Sequence, residues 1–266
     1  MIKLTDLIQW FDDKENTLVA LSGGVDSALV AYAAYQALHE SALAVTADYK
    51  TLAQDELESA KKICTEIGVR HLIIQYNELE NPDFVKNDKN RCFHCRTELS
   101  EYLKEIAKRE NADVIVDGTN LDDLDDYRPG IKALKKNGIR SPLVEIGFTK
   151  HEVRESAKKI GLSVYDRPSN SCLASRIPWG QKVTAEKLAR IENGETMIKK
   201  LFGSTKVRLR DLDGTAKIEV APEEIKLLSD KTKFAELDLG LRKMGFRTVV
   251  IDPDGYRSGK LNVITD

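Results

Sequence analysis

The most informative stretch of the sequence is LVALSGGVDSALV, at residues 18–30. An apolar run stops at a loop with two glycines, and apolar residues with helical spacing follow it. Glycine has no Cβ, so the backbone of this loop can curl closely around an anion. The free N–H groups and the dipole at the start of the helix favour phosphate. We predict that Ser22, Gly23, Gly24, Asp26 and Ser27 bind the phosphate-bearing ligand, and that Asp26 does so through a cation.

Asp26 indicates that a metal ion works with this loop. The loop lacks the Gly-Lys-Ser/Thr ending of a Walker A motif, and it is not GxGxxG. A carboxylate repels a polyphosphate unless a cation lies between them, and Mg²⁺ prefers carboxylate and phosphate oxygens. A glycine turn that only starts a helix is the structural alternative. The whole SGGVDS resembles the PP-loop of ATP pyrophosphatases, which implies that ATP is cleaved between its α and β phosphates.

Short apolar runs alternate with helical patterns from residue 17 to about residue 163. Unbroken apolar strands predict a parallel sheet that helices cover on both faces. We therefore predict an α/β fold, with a doubly wound parallel sheet of about five strands, in a first domain over 1–170. The predicted strands are TLVAL (17–21), LAVTA (43–47), HLIIQY (71–76), DVIVDG (113–118) and PLVEI (142–146).

The pattern changes in the last part of the chain, where we predict a smaller α+β domain over 171–266. Its clearest feature is KVRLRDLDGTAKIEV (206–220), which alternates on both sides of Asp213-Gly214 and predicts a hairpin. A helix precedes the hairpin, and two short helices and a strand at 246–252 follow it. The residues that would face its core are Val207, Leu209, Ile218 and Val220.

The ends of two predicted strands supply further candidates for nucleotide contacts. Ligands of parallel α/β sheets bind beyond the carboxyl ends of the strands. One strand ends in Thr46-Ala47-Asp48, and another continues into DGTNLDD (117–123). The resemblance to ATP pyrophosphatases implies that Thr46, Ala47, Asp122 and Asp123 line the adenosine or a metal. Both acids could equally be solvated loop residues.

Composition limits the classes of protein that this chain can be. Its 266 residues are 41% hydrophobic, and its net charge of -2 gives no general basic field for nucleic acid, which we consider an unlikely partner. The apolar runs are too short to span a membrane. The N-terminus resembles an amphipathic helix rather than a secretory signal, so the four cysteines fit a reducing cytoplasm.

Three of the cysteines form a pattern that needs a chemical explanation. Cys92 and Cys95 make a CxxC in RCFHCR, and Cys172 lies in the irregular SNSCLASRIPWG. A CxxC can be a redox pair, half of a zinc site or part of an iron–sulphur site. Three cysteines around a [4Fe–4S] cluster would leave one iron for an external sulphide. Cys64 lies among helical apolar residues, and we predict that it is a buried core residue.

Several motifs along the chain together carry a second resemblance. They appear in the order DGTNLDDLDDYRPGIKA, SPLVEIGFTKHEVR, RPSNSCLASRIPWG, VRLR and KIEV. This series resembles the LarE family of ATP-dependent sulphur transferases over nearly the whole chain. The resemblance implies that ATP activates a carboxylate of pyridinium-3,5-biscarboxylic acid mononucleotide, which then becomes a thiocarboxylate. The sulphur would come either from Cys172 itself or from a [4Fe–4S] cluster on Cys92, Cys95 and Cys172, and the CxxC favours the cluster.

The same resemblance implies roles for residues of the second domain. Arg208 and Arg210 would bind the phosphate of the nucleotide substrate, and Glu219 would lie near a metal. Separately from the resemblance, Arg176 lies near Cys172 in the sequence, where it would favour the thiolate form or bind a phosphate; a surface arginine is the structural alternative. Strand alternation alone would make the arginines part of a solvated sheet face. Family members assemble through the smaller domain, so the resemblance also implies a homo-oligomer.

Other functions stay open on the sequence. A tRNA-thiolating enzyme of the PP-loop superfamily would need RNA binding, and an NAD- or GMP-synthetase-like ligase would not need three cysteines. A non-catalytic module with ATP and structural zinc would bind nucleotide without releasing pyrophosphate. A sulphur-inserting enzyme explains both the nucleotide loop and the cysteines.

Overall fold

The computed structural model describes residues 2–124, 129–168 and 170–257. They group into two compact units, and each is described by itself. The first unit consists of residues 1–78 and 90–170, and the second consists of residues 79–89 and 171–266. No helix in the described ranges is both long and apolar enough to cross a membrane.

Segment 79–89 groups with the second unit, whereas the sequence analysis placed it in the domain over 1–170. Backbone hydrogen bonds explain the grouping. The N–H of Val183 donates to the carbonyl of Val85, and the N–H of Gly180 donates to the carbonyl of Asn87, both at 3.0 Å. These contacts join residues far apart in sequence, so no local pattern indicates them.

The first unit has four strands and seven helices among its described residues. Its strands are β1 (Thr17–Ala20), β2 (Ala42–Asp48), β3 (Arg70–Gln75) and β4 (Val114–Val116). Its helices are α1 (Ile2–Gln9), α2 (Val25–Leu38), α3 (Gln54–Ile67), α5 (Arg91–Arg109), α6 (Pro129–Lys136), α7 (Pro142–Ile146) and α8 (Lys150–Lys159). One short helix, α4 (Pro82–Val85), lies between them in sequence and belongs to the second unit.

The four strands form one parallel sheet in the order β3-β2-β1-β4. Successive side chains of a strand point to opposite faces, so each strand supplies two cores. Leu18 and Leu43 pack into a core that includes Leu103 of α5. Val19 and Ala44 pack into the other core, which α2 and α8 help to form. The predicted doubly wound α/β fold is confirmed.

The prediction of a strand over 142–146 is wrong, because these residues form α7. Pro142 lies in the first turn of α7, where the missing N–H has no partner to lose. Gly147 ends the helix with φ +84°, a left-handed conformation that suits glycine. The chain meets the sheet just before the helix, where Arg140 forms a single parallel bridge with Val116.

The second unit is a small three-stranded sheet packed by helices. It contains α9 (Ala185–Phe202), β5 (Val207–Leu212), β6 (Thr215–Val220), α10 (Lys231–Lys243) and β7 (Thr248–Ile251). The sheet order is β5-β6-β7, with β5 and β6 antiparallel and β6 and β7 parallel. The predicted hairpin is confirmed, and its turn holds Asp213 at φ +49° and Gly214 at φ +88°. The predicted core residues Val207, Leu209, Ile218 and Val220 are buried.

Candidate functional site

The loop after β1 has a backbone that only glycine permits at one position. Gly23 has φ +83°, and a Cβ built on it would lie 2.4 Å from the carbonyl oxygen of Glu56 in α3. Two side chains fix the carbonyl of Gly23 in turn. Ser59 Oγ donates to it at 2.8 Å, and Arg167 Nη1 donates to it at 3.0 Å. The backbone of the loop is therefore held by residues of other elements.

The two serines of the loop are joined to each other. Ser22 Oγ and Ser27 Oγ lie 3.1 Å apart, and Ser27 Oγ donates to the carbonyl of Gly24 at 3.1 Å. Gly24 is the N-cap of α2 and has no side chain to bond the first N–H groups of the helix. These N–H groups suit an anion, as the sequence predicts. The structure thus brings the five predicted phosphate residues into one loop at the start of α2.

Asp26 is held by two residues that the sequence analysis did not select. Its Oδ1 accepts from Asn120 Nδ2 at 3.0 Å, and its Oδ2 forms an ion pair with Lys150 Nζ. The Oδ1 of Asn120 is buried and has no hydrogen-bond partner among the described residues. Asp26 and this orphan oxygen are the kind of oxygen donors that Mg²⁺ prefers, completed by phosphate oxygens. The residues present therefore fit a magnesium ion.

The two predicted acids after β4 bond to backbone N–H groups of this region. Asp122 Oδ2 accepts from the N–H of Lys150 at 3.1 Å, at the start of α8. Asp123 Oδ2 accepts from the N–H of Asn120 at 3.1 Å. Both carboxylates thereby orient the backbone of the two residues that hold Asp26. The sequence places Lys150 at the start of a helix, directly after Thr149 of the predicted capping box, but no local signal pairs it with Asp26.

Thr46 holds the backbone that leads into the loop. Its Oγ1 donates to the carbonyl of Leu21 at 2.9 Å, and His71 Nε2 lies 2.9 Å from the same Oγ1. Burial lowers the pKa of His71. Ala47 is the next residue of β2 and is also buried. The predicted nucleotide residues of β2 thus contact the loop entry or the sheet core.

The cysteines differ in exposure. Cys64 is buried in the first unit, as predicted, and burial raises the pKa of its thiol to about 12. Cys92 is exposed and Cys95 is half-buried, three residues apart near the start of α5, so their thiols share one side of the helix. That spacing suits two ligands of a cluster. Within the described ranges, no three His, Cys, Asp or Glu side chains are close enough to hold a metal ion.

A group of buried charges dominates the second unit. Arg176 Nε and Nη2 donate to the two carboxylate oxygens of Glu195 at 2.8 and 3.0 Å. Arg210 Nε and Nη2 donate to Glu219 Oε2 at 3.0 and 2.8 Å. Burial, and then repulsion by Arg176, lowers the pKa of Arg208. These five buried side chains carry three positive and two negative charges, and guanidinium groups are suitable ligands for an anion.

Arg208 lies beside an aromatic ring. Its Cζ is 5.3 Å from the centre of the Tyr256 ring, and Lys206 Nζ is 4.3 Å from the same centre. Arg208 Nη1 also donates to the carbonyl of Val207 at 2.8 Å. The arginine side of β5 is therefore buried and ordered by neighbours. It is not the solvated sheet face that alternation alone indicates.

Some known proteins match part of this chain, and others match nearly all of it. The family described as "Queuosine biosynthesis protein QueC" matches residues 16–124. A tRNA-specific 2-thiouridylase of Rickettsia typhi is 26% identical, over 58% of this chain and 53% of its own length. Neither of these two matches extends over the whole chain.

Two further relatives match the chain over nearly its full length. An uncharacterised protein of Synechocystis sp. is 42% identical over 98% of this chain and 97% of its own. The pyridinium-3,5-bisthiocarboxylic acid mononucleotide synthase of Lactiplantibacillus plantarum is 29% identical over 98% of this chain and 94% of its own. Because this likeness includes both units, the chain belongs to the LarE family of ATP-dependent sulphurtransferases, a branch of the PP-loop ATP pyrophosphatases.

Proposed function

We propose that this enzyme activates a carboxylate of pyridinium-3,5-biscarboxylic acid mononucleotide with ATP and converts it to a thiocarboxylate. The relative from Lactiplantibacillus plantarum is named as the synthase of the bisthiocarboxylic acid mononucleotide, the product that this reaction leads to, which supports the proposed substrate. The observation that carries the proposal is the pair of buried arginines on β5, Arg208 and Arg210, beside a third buried arginine, Arg176. Arg208 and Arg210 could bind the phosphate of a nucleotide monophosphate through forked hydrogen bonds. Arg208 and Arg210 are the proposed phosphate ligands.

Adenylylation would take place at the loop after β1. The N–H groups at the start of α2, with Ser22 and Ser27, would bind the phosphates, and Asp26 would hold Mg²⁺. Magnesium would supply positive charge against the triphosphate. Lys150, the ion-pair partner of Asp26, would supply a second positive charge for phosphate oxygens at this loop. The substrate carboxylate then attacks the α-phosphorus, and pyrophosphate leaves.

Cys172 is the proposed sulphur donor or the ligand of one. As donor, its thiolate attacks the carbonyl carbon of the acyl-adenylate, AMP leaves and a thioester forms. Loss of the Cα proton and cleavage of the Cβ–S bond then give the thiocarboxylate and leave dehydroalanine at position 172. A [4Fe–4S] cluster on Cys92, Cys95 and Cys172 would instead supply sulphide when bound, and Glu219 would lie near any second metal.

The first test uses anaerobically purified protein with Mg²⁺, ATP and the biscarboxylate mononucleotide. We expect pyrophosphate and AMP in step with the thiocarboxylate product. We expect Cys172→Ala to release pyrophosphate without forming product, and product from that variant would overturn the role of Cys172. Iron and acid-labile sulphide in the starting protein would favour the cluster. A protein mass lower by H₂S after turnover would favour sacrifice of Cys172.

The phosphate site has its own test. We expect Arg208→Ala to raise KM for the nucleotide substrate by about 10- to 100-fold, the usual effect of losing a charge-assisted hydrogen bond. KM for ATP should stay at the wild-type value. An equal rise in both constants would contradict the assignment of Arg208 to the substrate phosphate.

The assembly and the setting of the enzyme are also proposals. We propose a homo-oligomer in the cytoplasm, built through the smaller unit. Size-exclusion chromatography with light scattering would test the assembly, and a monomer at working concentration would contradict it.

A further inference from the structure

We propose that Arg176 and Glu195 form a positioning pair that fixes the loop carrying Cys172, here called the thiol loop (residues 171–176). The catalytic consequence of this inference rests on the proposed function of Cys172. The structural part stands on the geometry of the second unit alone. In this assignment Arg176 acts through the backbone around the thiol, and it is neither a phosphate ligand nor a proton acceptor.

The buried side chain of Arg176 donates hydrogen bonds to backbone carbonyls of the thiol loop. Its side chain is fully buried. Its Nη1 donates to the carbonyl of Ser171 at 2.5 Å and to the carbonyl of Cys172 at 3.1 Å. The same nitrogen lies 3.1 Å from Ser175 Oγ. One guanidinium thus ties the start of the loop to its end, on both sides of the thiol.

Glu195 connects this arginine to the rest of the unit. It accepts Nε and Nη2 of Arg176 with its two oxygens, a forked pair that also fixes the plane of the guanidinium. Its Oε1 accepts in addition from the N–H of Leu209 in β5 at 3.0 Å. Glu195 itself belongs to α9. The thiol loop is therefore joined through one buried pair to both a helix and a strand.

Arg210 fixes the other end of the thiol loop. Its Nη1 donates to the carbonyl of Ser175 at 2.9 Å, while its other two nitrogens bond Glu219. Within the loop, the N–H of Ser175 donates to the carbonyl of Cys172 at 2.9 Å. Two arginines thus bind three carbonyls of one six-residue segment. The chemistry needs such order, because a sulphur nucleophile must stay within reach of its carbon in one orientation.

The geometry requires arginine rather than any cation at position 176. A guanidinium donates in three directions within one plane, towards the glutamate and two carbonyls. A lysine would restore the charge opposite Glu195, but its compact ammonium would not reproduce the fork. Charge and positioning can therefore be separated by comparing Arg176→Gln with Arg176→Lys.

The chain offers a matched control in Arg190. Arg190 lies in α9, and its Nε donates to Asp211 Oδ2 of β5 at 2.8 Å. It therefore makes an ion pair between the same helix and strand, and Asp211 is fully buried. The side-chain partners of Arg190 lie outside the thiol loop. Arg190→Gln should destabilise the second unit without a specific effect on Cys172.

The experiment is hydrogen exchange of the thiol-loop amides, together with iodoacetamide alkylation of Cys172, in the full chain. In Arg176→Gln we expect exchange at Ser175 and Ile177 to accelerate by about tenfold or more, and alkylation of Cys172 to accelerate with it. Arg176→Lys should recover the unfolding midpoint more completely than the protection of these amides. Arg190→Gln should lower the midpoint but leave both loop readouts at wild-type values.

Either of two results would overturn the inference. One is wild-type exchange and alkylation in a folded Arg176→Gln or Arg176→Lys protein. The other is equal loosening of the thiol loop by Arg190→Gln. A failure of the proposed function would look different, because wild-type protein would then form no thiocarboxylate while the exchange data still decided the role of Arg176. Where product forms, Arg176→Lys should lower the rate of thiocarboxylate formation more than that of pyrophosphate release.

Discussion

The two loops that carry the proposed chemistry are built by opposite means. The nucleotide loop (residues 22–27) depends on its backbone, with Gly23 at φ +83° and its carbonyl held by hydrogen bonds from other elements. The thiol loop contains no glycine, and its carbonyls are bound by two buried arginines. The nucleotide loop thus depends on a glycine without a Cβ, whereas the thiol loop depends on buried charged side chains that bind its carbonyls.

This difference predicts how each loop fails. A backbone-built loop is sensitive to any added Cβ at its one left-handed position but tolerates change beside it. A charge-built loop is sensitive to the loss of a partner, because the remaining charge stays buried without compensation. The nucleotide loop should therefore respond most to a side chain added at Gly23, and the thiol loop should respond most to the loss of one member of a buried ion pair.

Glu195→Gln should give the largest effect on stability. It leaves the guanidinium of Arg176 buried without its carboxylate, and breaking a buried pair in this way costs about 3–5 kcal/mol. Urea unfolding of the second unit measures the loss. Asp238→Asn, which breaks an exposed pair with Arg242, is the control and should leave the unfolding midpoint unchanged. A wild-type midpoint in Glu195→Gln would show that the thiol loop does not depend on this charge.

Asp26→Asn should give the largest effect on the chemistry. The amide keeps the size of the side chain but loses its charge for a metal and for Lys150. We expect pyrophosphate release to fall by about 10²–10³-fold, the range for losing one electrostatic group at a transition state. The unfolding midpoint should change little. Asp113→Asn is the control, because Asp113 directly precedes β4 and lies away from the loop after β1. This variant should release pyrophosphate at the wild-type rate.

The two glycines of the nucleotide loop allow a matched pair of variants. Gly23→Ala places a methyl group against the Glu56 carbonyl and forces a left-handed alanine, at a cost of about 1–3 kcal/mol. Gly24 has φ -93°, and a Cβ there would lie 3.5 Å from Ser22 Oγ. Gly24→Ala should therefore unfold within about 0.5 kcal/mol of wild type. Equal losses in the two variants would contradict a backbone-built loop.

The features that the sequence predicted correctly have local causes. The glycines of the loop after β1, the capping box of Thr149 and the turn at Asp213-Gly214 each act within a few residues. The strand predicted over 142–146 failed because a five-residue apolar run has no clear period. Pro142 at the start of this run and Gly147 just after it were the local signals that favour a helix.

The parts of the site that the sequence could not give depend on distant partners. Lys150 and Asp26 are 124 residues apart, and no pattern at either position indicates the pair. The same holds for the burial of Arg208 and Glu219. Alternation correctly separates the two faces of the hairpin, but it does not reveal that the thiol loop packs beside the polar face. Sequence spacing therefore identified candidate residues, and tertiary contacts supplied their partners.

Acidification should have the smallest effect, and it should act on the first loop alone. Burial, with some repulsion from Lys61, lowers the pKa of His71, so this ring takes up a proton at a lower pH in the folded protein than in the unfolded chain. The unfolded chain binds a proton there below about pH 6.5, so the stability that neutral His71 contributes is present above that pH and lost as pH falls through it. His71 contacts Thr46, which holds the carbonyl of Leu21 before the nucleotide loop.

We expect the unfolding midpoint of wild type to fall more on acidification than that of His71→Asn, while the exposed control His151→Asn follows wild type. Hydrogen exchange of the thiol-loop amides, corrected for the intrinsic pH dependence, should stay constant. A parallel change in both loops would contradict the different origins of their stability.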